Sequence, residues 1–224
     1  MPVACAAGFF QKIMDVIKER NEKLGAKIVK ELARRHYDAY YCKTADEARA
    51  KVLELIPDGS SVSWGGTMTV RDLGITKALH EGNYRVIDRD LATTPEETQK
   101  AYHDALSADF FLSSVNAITE DGLIVNIDGR GNRVAAITYG PEKVIFVVGM
   151  NKVVRNIDEA MLRARNTAAP INNQRFNNLN PCKTDGACHN CNTPTCICNY
   201  IEIMRNSFPE HRHAVVLVDE NLGY

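Results

Sequence analysis

The chain has 224 residues, of which 45% are hydrophobic and 25% charged, and its formal net charge at pH 7 is −1. These values are ordinary for a soluble globular domain with a sizeable apolar core. The near-neutral charge gives no reason to expect binding to nucleic acid, and no uncharged apolar run is long enough to span a bilayer. The N-terminus has no basic residue ahead of its short apolar stretch, which makes it a poor secretory signal, so we expect a cytoplasmic protein.

Helix and strand signals alternate along most of the chain. Thr44 with Glu47, and Thr94 with Glu97, form capping boxes, which mark helix starts. The predicted helices cover residues 9–36, the stretch from Thr44 to before Pro57, the stretch from Thr94 to Ser107, and residues 156–166. Short β-branched runs bounded by Gly, Asn, Asp or Pro predict strands at residues 37–43, 60–64, 84–88, 110–115, 123–127, 144–148 and 213–218. Residues 168–180, rich in Asn and Pro, are predicted to be irregular.

This alternation predicts βαβ units and a largely parallel sheet. One Gly/Asx cluster, Asp128-Gly-Arg-Gly-Asn132, suits the tip of a hairpin and interrupts the alternation. We therefore predict a single α/β domain over residues 1–224. It should have three layers, with helices on both sides of a central, mostly parallel sheet and a β-hairpin excursion at residues 123–139.

Two sets of polar residues at strand ends predict a ligand site, because open α/β sheets bind ligands there. Gly65 and Gly66 follow a strand and precede Thr67 and Thr69. Paired glycines let backbone N–H groups approach an anion, although the same pair often forms only a tight turn. The second set lies at the ends of the next strands and comprises Asn116, Thr119, Glu120, Asp121, Asn126 and Asp128.

Five of the seven cysteines crowd into residues 180–200: Cys182, Cys188, Cys191, Cys196 and Cys198. Clustering of this kind in a reducing compartment favours metal ligation over a disulfide framework. Cys188 and Cys191 form a C-x-x-C pair, and four thiolates suit either tetrahedral Zn²⁺ or an iron–sulfur cluster. The spacing does not choose between the two, and free thiols or one disulfide are the alternatives without a metal.

Four stretches together resemble the lactate-utilisation (LUD) domain family, and the resemblance extends over nearly the whole chain. They are VSWGGTMT at residues 62–69, NAITEDG at 116–122, DGRGNR at 128–133 and KVIFVVGMNK at 143–152. The chain is similar to the single-domain branch that ends in a cysteine motif. In that branch we expect Cys182, Cys188, Cys191 and Cys198 to be the recurring cysteines, whereas Cys196 stands where another residue type is expected.

The resemblance implies a fold related to ribose-5-phosphate isomerases, glucosamine-6-phosphate deaminases and CoA-transferases, with ligands held at the Gly-rich turn and near residues 116–122. Some family members belong to an iron–sulfur system that oxidises lactate to pyruvate, which favours an iron–sulfur cluster over zinc. CoA-transferases of the related fold use a glutamate nucleophile beside a similar Glu-x-Gly pattern, so Glu120 is the catalytic candidate. A solvated Glu-Asp-Gly turn explains the same residues equally well.

The predicted ligand-binding residues are Gly65, Gly66, Thr67, Thr69, Asn116, Thr119, Gly122, Asp128, Asn132, Arg133 and Lys152. Arg133 and Lys152 are included because their cationic groups suit an anionic ligand, although such residues are more often plain surface charges.

Three functions follow from these expectations. The first is a protein of organic-acid metabolism that binds a small anionic organic acid or phosphorylated ligand, carries a cysteine-bound metal centre and works with other lactate-utilisation subunits. The second is a CoA-transferase-like or sugar-phosphate-isomerase-like enzyme that uses Glu120 and a structural zinc. The third is a non-catalytic binding or subunit-interaction module. The sequence leaves catalysis, the substrate and homo-oligomerisation open.

Overall fold

The computed structural model describes the backbone of residues 3–224 and the side chains of residues 13–224. The helices are α1 (Val3–Arg34), α2 (Ala45–Glu54), α3 (Met68–Asp72), α4 (Ile75–Glu81), α5 (Pro95–Ala105), α6 (Asn132–Thr138), α7 (Ile157–Arg163), α8 (Ala169–Asn173) and α9 (Pro181–Asp185). The strands are β1 (Asp38–Cys42), β2 (Ser61–Trp64), β3 (Arg85–Ile87), β4 (Phe110–Ser113), β5 (Ala117–Thr119), β6 (Ile124–Asp128), β7 (Lys143–Gly149), β8 (Val153–Val154), β9 (Tyr200–Met204) and β10 (His213–Val218). Short 3₁₀ turns cover Arg89–Leu91 and Met150–Lys152.

Six strands form a central sheet in the order β1-β10-β7-β4-β2-β3, and every pair in it is parallel. The inner strands β7 and β10 are almost wholly apolar because helices cover both faces of the sheet. Alternate residues of β7 point to opposite faces. Phe146 packs against α1, and Ile145 packs on the side of α2 and α4. The prediction of three layers around a mostly parallel sheet is confirmed.

A second sheet of four strands lies beside the first, in the order β8-β5-β6-β9. Its centre is the antiparallel β5–β6 hairpin, and β9 pairs antiparallel with β6. This hairpin is the excursion from the parallel sheet, but its turn covers residues 120–123. The hairpin tip predicted at residues 128–132 is therefore wrong.

The Gly/Asx cluster at residues 128–132 begins a helix. Gly131 has φ +82 and stands before α6, and the Asp128 carboxylate accepts hydrogen bonds from the N–H groups of Arg133 and Val134 at 3.0 and 3.1 Å. A carboxylate that satisfies free N–H groups in the first turn stabilises a helix start. Hairpin tips and helix starts need the same residue types, and here the local hydrogen bonds decide for the helix.

Residues 168–180 are more regular than predicted. A π-helical turn, Ala164–Ala168, continues α7 into α8, which ends at Asn173. The sequence analysis also missed β9, an edge strand whose Tyr200, Ile201 and Ile203 are about half exposed. Outward-facing apolar residues do not give the alternation that marks a half-buried strand.

Apolar contacts join the two sheets. Ile118 and Ile124 of the second sheet belong to the same buried cluster as Phe146 and Val215 of the first. A separate cluster packs Val125 and Ile127 against α7 through Ala160. The extent of a single domain over residues 1–224 stays a prediction. In the described part of the chain, no helix is long and apolar enough to cross a membrane.

Candidate functional site

A cavity of about 760 Å³ opens beyond the carboxyl ends of β2, β4 and β6. Parallel strands of the central sheet end there together, which is where open α/β sheets hold ligands. Five cationic side chains line it, against two carboxylate side chains: Arg89, Arg130, Arg133, Lys152 and Arg175 against Asp90 and Asp128. Cationic side chains therefore outnumber carboxylates in the cavity lining.

Gly65 and Gly66 give two arginines room to reach the cavity. A Cβ atom on Gly65 would stand 2.9 Å from Cδ of Arg133, and one on Gly66 would stand 2.6 Å from Nη2 of Arg89. Beyond them the Thr67 hydroxyl caps α3. Gly65 thus shapes the wall from behind, whereas Gly66 and Thr67 line the cavity directly.

Lys152 lies at the base of the cavity and is 4% exposed. Its Nζ donates to Ser114 Oγ at 2.9 Å and to Thr69 Oγ1 at 3.3 Å. Burial, then the positive charges of Arg163 and Arg133, lower the pKa of Lys152 to about 7. Desolvation and nearby cations both disfavour an ammonium group, so the uncharged amine is populated near neutral pH.

Arg133 is held by four protein acceptors. One guanidinium nitrogen donates to the Asn126 side chain at 2.8 Å and to the Ser114 carbonyl at 3.2 Å. The other donates to the Ile127 carbonyl at 2.7 Å and to the Asn116 side chain at 3.1 Å. Burial lowers the pKa of Arg133. This arginine fixes the geometry of the site and adds positive charge, but most of its N–H groups are already bonded.

The other three arginines lie in the outer part of the cavity. Arg89 and Arg130 stand over the ring of Tyr102, with guanidinium carbons 5.3 and 5.9 Å from its centroid. Arg175 bonds the Asn172 side chain at 3.2 Å. Arg89 has a carboxylate partner, Asp90, at 3.8 Å. Among residues 13–224, no carboxylate lies within 4.0 Å of the charged groups of Arg130, Arg133, Lys152, Arg163 or Arg175.

The cysteine segment, residues 180–200, forms one wall of the cavity through Pro194, Thr195, Cys196, Ile197 and Asn199. Asn199 donates its backbone N–H to the Asp128 carbonyl at 3.0 Å and its side-chain amide to the Gly129 carbonyl at 2.9 Å.

The buried Asn180 connects two parts of the cysteine segment through hydrogen bonds. Its side-chain oxygen accepts from the hydroxyls of Thr193 and Thr195 at 2.5 and 2.7 Å, and its amide donates to the Thr195 carbonyl at 2.9 Å. The thiol-bearing segment and the cavity are therefore one structural unit.

The six described cysteines are free thiols, and the five of the segment are partly buried. Burial raises the pKa of Cys182, and the neighbouring thiols of Cys191 and Cys188 raise it further. Burial and the thiols of Cys196, Cys188 and Cys182 raise the pKa of Cys198 to about 12. These effects place the thiols near one another. No three His, Cys, Asp or Glu side chains within residues 13–224 are grouped closely enough to hold one metal ion as they stand.

The donor set nevertheless fits a thiophilic metal. A bound cation favours thiolates and reverses the pKa increases that burial and crowding cause. Cys182, Cys188, Cys191 and Cys198 are the residues that would hold it. The only helix in the segment is the short α9, and Cys198 at its other end packs against the second sheet.

The sequence profile of the LUD domain matches residues 25–218, which covers both sheets, the cysteine segment and all of the cavity lining except Gly223 and Tyr224. The chain belongs to the LUD domain family.

A structural relative supports the fold of this LUD-domain chain. The crystal structure of a DUF162 family protein from Deinococcus radiodurans superposes with a TM-score of 0.53 at 12% identity, and covers 89% of this chain and 98% of its own. The structure of eIF2B delta from Chaetomium thermophilum gives a TM-score of 0.33 at 15% identity over 52% of each chain, too low to support an argument. No curated protein matches the chain.

Eight of the predicted ligand residues of the LUD domain come together in the cavity. They are Gly66, Thr67, Thr69, Asn116, Asp128, Asn132, Arg133 and Lys152. Gly65 stands behind the wall. Sequence reasoning missed Arg89, Arg175 and Ser114, which lie outside the glycine motifs, and it passed over Arg130 inside one of them.

Glu120, Thr119 and Gly122 do not line the cavity. They build the β5–β6 turn, in which the Thr119 hydroxyl accepts from the N–H of Leu123 at 2.8 Å and Gly122 has φ +86. The Glu120 carboxylate pairs with Nζ of Lys27 on α1 at 2.6 Å. The catalytic role of Glu120 stays a prediction, and the cavity does not involve it.

Lys152 makes the stability of the fold depend on pH. Its pKa is about 7 when folded against 10.5 for an ordinary lysine. Between these values the unfolded chain holds a proton that the folded chain has released, so the free energy of unfolding rises with pH. We expect the difference in unfolding free energy, wild type minus Lys152→Met, to rise by on the order of 3 kcal/mol between pH 7 and pH 10.

Urea unfolding at a series of pH values measures this difference. Lys77→Met is the matched control because the Lys77 side chain is 78% exposed. The difference in unfolding free energy between wild type and Lys77→Met should not change with pH. Parallel pH curves for wild type and Lys152→Met would show that Lys152 keeps an ordinary pKa.

Proposed function

We propose that this LUD-domain protein serves organic-acid metabolism by binding a small carboxylate or phosphorylated ligand in the cavity. The observation that carries the proposal is the convergence of Arg130, Lys152 and Arg175 on one cavity without a carboxylate partner among the described residues. Unpaired cations around a concave site attract anions and raise their local concentration. The hydroxyls of Ser114 and Thr69 add hydrogen-bonding groups beside Lys152.

The residues of the site have different roles. Arg133 and Asn116 fix the geometry of the protein around the cavity, whereas Lys152 and Ser114 provide a contact for the ligand in its inner part. Arg175 and Arg130 stand at the outer part, where long, mobile guanidinium groups can form paired hydrogen bonds to a carboxylate or phosphate. Family membership relates the chain to lactate utilisation, and lactate is a small carboxylate of suitable charge.

We further propose that Cys182, Cys188, Cys191 and Cys198 hold a metal centre, an iron–sulfur cluster in preference to zinc. The presence of these four partly buried free thiols in one segment, residues 180–200, supports this. A cluster at this place supplies one-electron chemistry, and zinc supplies only cross-linking of the segment. In this view the protein takes part in iron–sulfur-dependent lactate oxidation together with other lactate-utilisation subunits. Homo-oligomerisation stays open.

The alternative of a CoA-transferase-like or isomerase-like enzyme that uses Glu120 has less support. The Glu120 carboxylate is paired with Lys27 and lies at a turn outside the cavity. A catalytic nucleophile must reach the bound substrate, and Glu120 does not line the cavity in which we propose that the ligand binds.

Anion binding is testable by isothermal titration calorimetry with L-lactate, pyruvate and inorganic phosphate. We expect at least one of them to bind the wild-type protein. Arg175→Met and Lys152→Met should each weaken that binding roughly 10- to 100-fold, as expected for the loss of one charge-assisted hydrogen bond. Lys77→Met, an exposed lysine outside the cavity, is the control for general charge. Absence of binding by all three anions, or equal affinity in all variants, would overturn the proposal.

Metal binding is testable on anaerobically purified protein. We expect near-stoichiometric iron or zinc, and broad visible absorbance in the iron–sulfur case. Cys188→Ser should lower the metal content and increase hydrogen exchange across residues 180–200, because ligation is coupled to ordering of the segment. Cys5→Ser, far from the segment in sequence, should change neither. Metal-free wild-type protein, or a Cys188→Ser variant with full metal content and unchanged exchange, contradicts this part of the proposal.

A further inference from the structure

The surroundings of Lys152 are those of a reactive amine and not only those of a cation that binds an anion. A buried lysine usually has a carboxylate partner, because an isolated ammonium is costly to desolvate. Lys152 is 4% exposed, and its Nζ bonds only to two neutral hydroxyls within the described chain, those of Ser114 and Thr69. Its charged neighbours Arg133 and Arg163 are cations.

Backbone packs closely beside Nζ, and the cavity reaches Lys152 next to it. The backbone of Gly223 passes over the amine in a left-handed conformation, with φ +58. A Cβ atom at this residue would lie 3.3 Å from Nζ and 2.7 Å from Thr69 Oγ1. The absence of a side chain at Gly223 thus allows its backbone to pack closely against Lys152 and Thr69. Lys152 and Gly223 both line the cavity, so the cavity extends to the residue that carries the amine.

We propose that Lys152 forms an imine with the carbonyl group of a small α-oxo carboxylate bound in this cavity. The inference rests on the proposed function, since the anion site holds the carboxylate. An uncharged lysine amine next to other cations is the arrangement that activates such a nucleophile. The carbonyl supplies the electrophile, and the adjacent carboxylate supplies the negative charge that the arginines attract.

The step balances without any oxidant or reductant. The Nζ lone pair attacks the carbonyl carbon, a C–N bond forms, and the carbonyl oxygen takes up a proton to give a carbinolamine. Loss of that oxygen as water, with the two amine protons, leaves the C=N bond. The Ser114 hydroxyl, 2.9 Å from Nζ, is placed to pass a proton between nitrogen and oxygen.

The experiment traps the imine with cyanoborohydride in the presence of pyruvate near neutral pH. Intact mass should increase by one reduced pyruvate adduct, and peptide mapping should place it on Lys152. We expect Lys152 to be labelled at least ~10-fold faster than exposed lysines such as Lys77, because an ordinary exposed lysine is almost fully protonated at this pH.

Lys152→Arg keeps the positive charge but cannot form an imine, so its adduct should disappear. Lys77→Arg, the same substitution at an exposed site, should keep the adduct. No adduct, or labelling spread evenly over exposed lysines, overturns the imine proposal. If calorimetry still shows pyruvate binding, only the covalent step fails; if no anion binds, the proposed function fails as well.

Discussion

The guanidinium of Arg133 ties together the pieces from which the site is built. It spans the Ser114 carbonyl after β4, the Asn116 side chain before β5, and Asn126 and the Ile127 carbonyl of β6. It reaches them from the first turn of α6, which the Asp128 carboxylate fixes. The two sheets meet here, so one side chain sets the distance between the parallel strands and the hairpin. Gly65 is required because a side chain there would collide with this arginine.

The placement of Arg133 leaves the cavity with more positive than negative charge. Its N–H groups donate to protein acceptors, so its positive charge acts on neighbouring side chains more than it contacts a ligand directly. One consequence is the lowered pKa of Lys152, which results first from burial and then from the fields of Arg163 and Arg133. Arg133 thus contributes to the low pKa of a second basic side chain at the cavity. Arg130 and Arg175 have no carboxylate partner among the described residues, and the contacts described for them are with aromatic rings and an amide.

The parallel sheet was predictable because its strands are short apolar runs between clear helix starts. Thr44 and Thr94 cap their helices as expected, each hydroxyl accepting from the N–H of the glutamate three residues later. The Gly/Asx cluster at residues 128–132 was misread because its residue types serve a hairpin and a helix start equally well. Arg89 and Arg175 were not predictable, since they come from a 3₁₀ turn and the end of a short helix, and only folding brings them to the cavity. Thr119 and Gly122 stabilise the β5–β6 turn and do not contact the cavity.

The cysteine segment and the cavity share a wall, so neither changes alone. Asn199 donates hydrogen bonds to the backbone carbonyls of Asp128 and Gly129. The Asp128 carboxylate in turn caps the first turn of α6, which carries Arg133. The most direct test of the central claim, an anion site at this wall, is the anomalous diffraction of crystals soaked in selenate, a tetrahedral oxyanion. The account predicts a selenium peak inside the cavity, within hydrogen-bonding distance of Lys152, Ser114 or Arg175. Selenium peaks found only on the outer surface, with the cavity empty at the same selenate concentration, would contradict it.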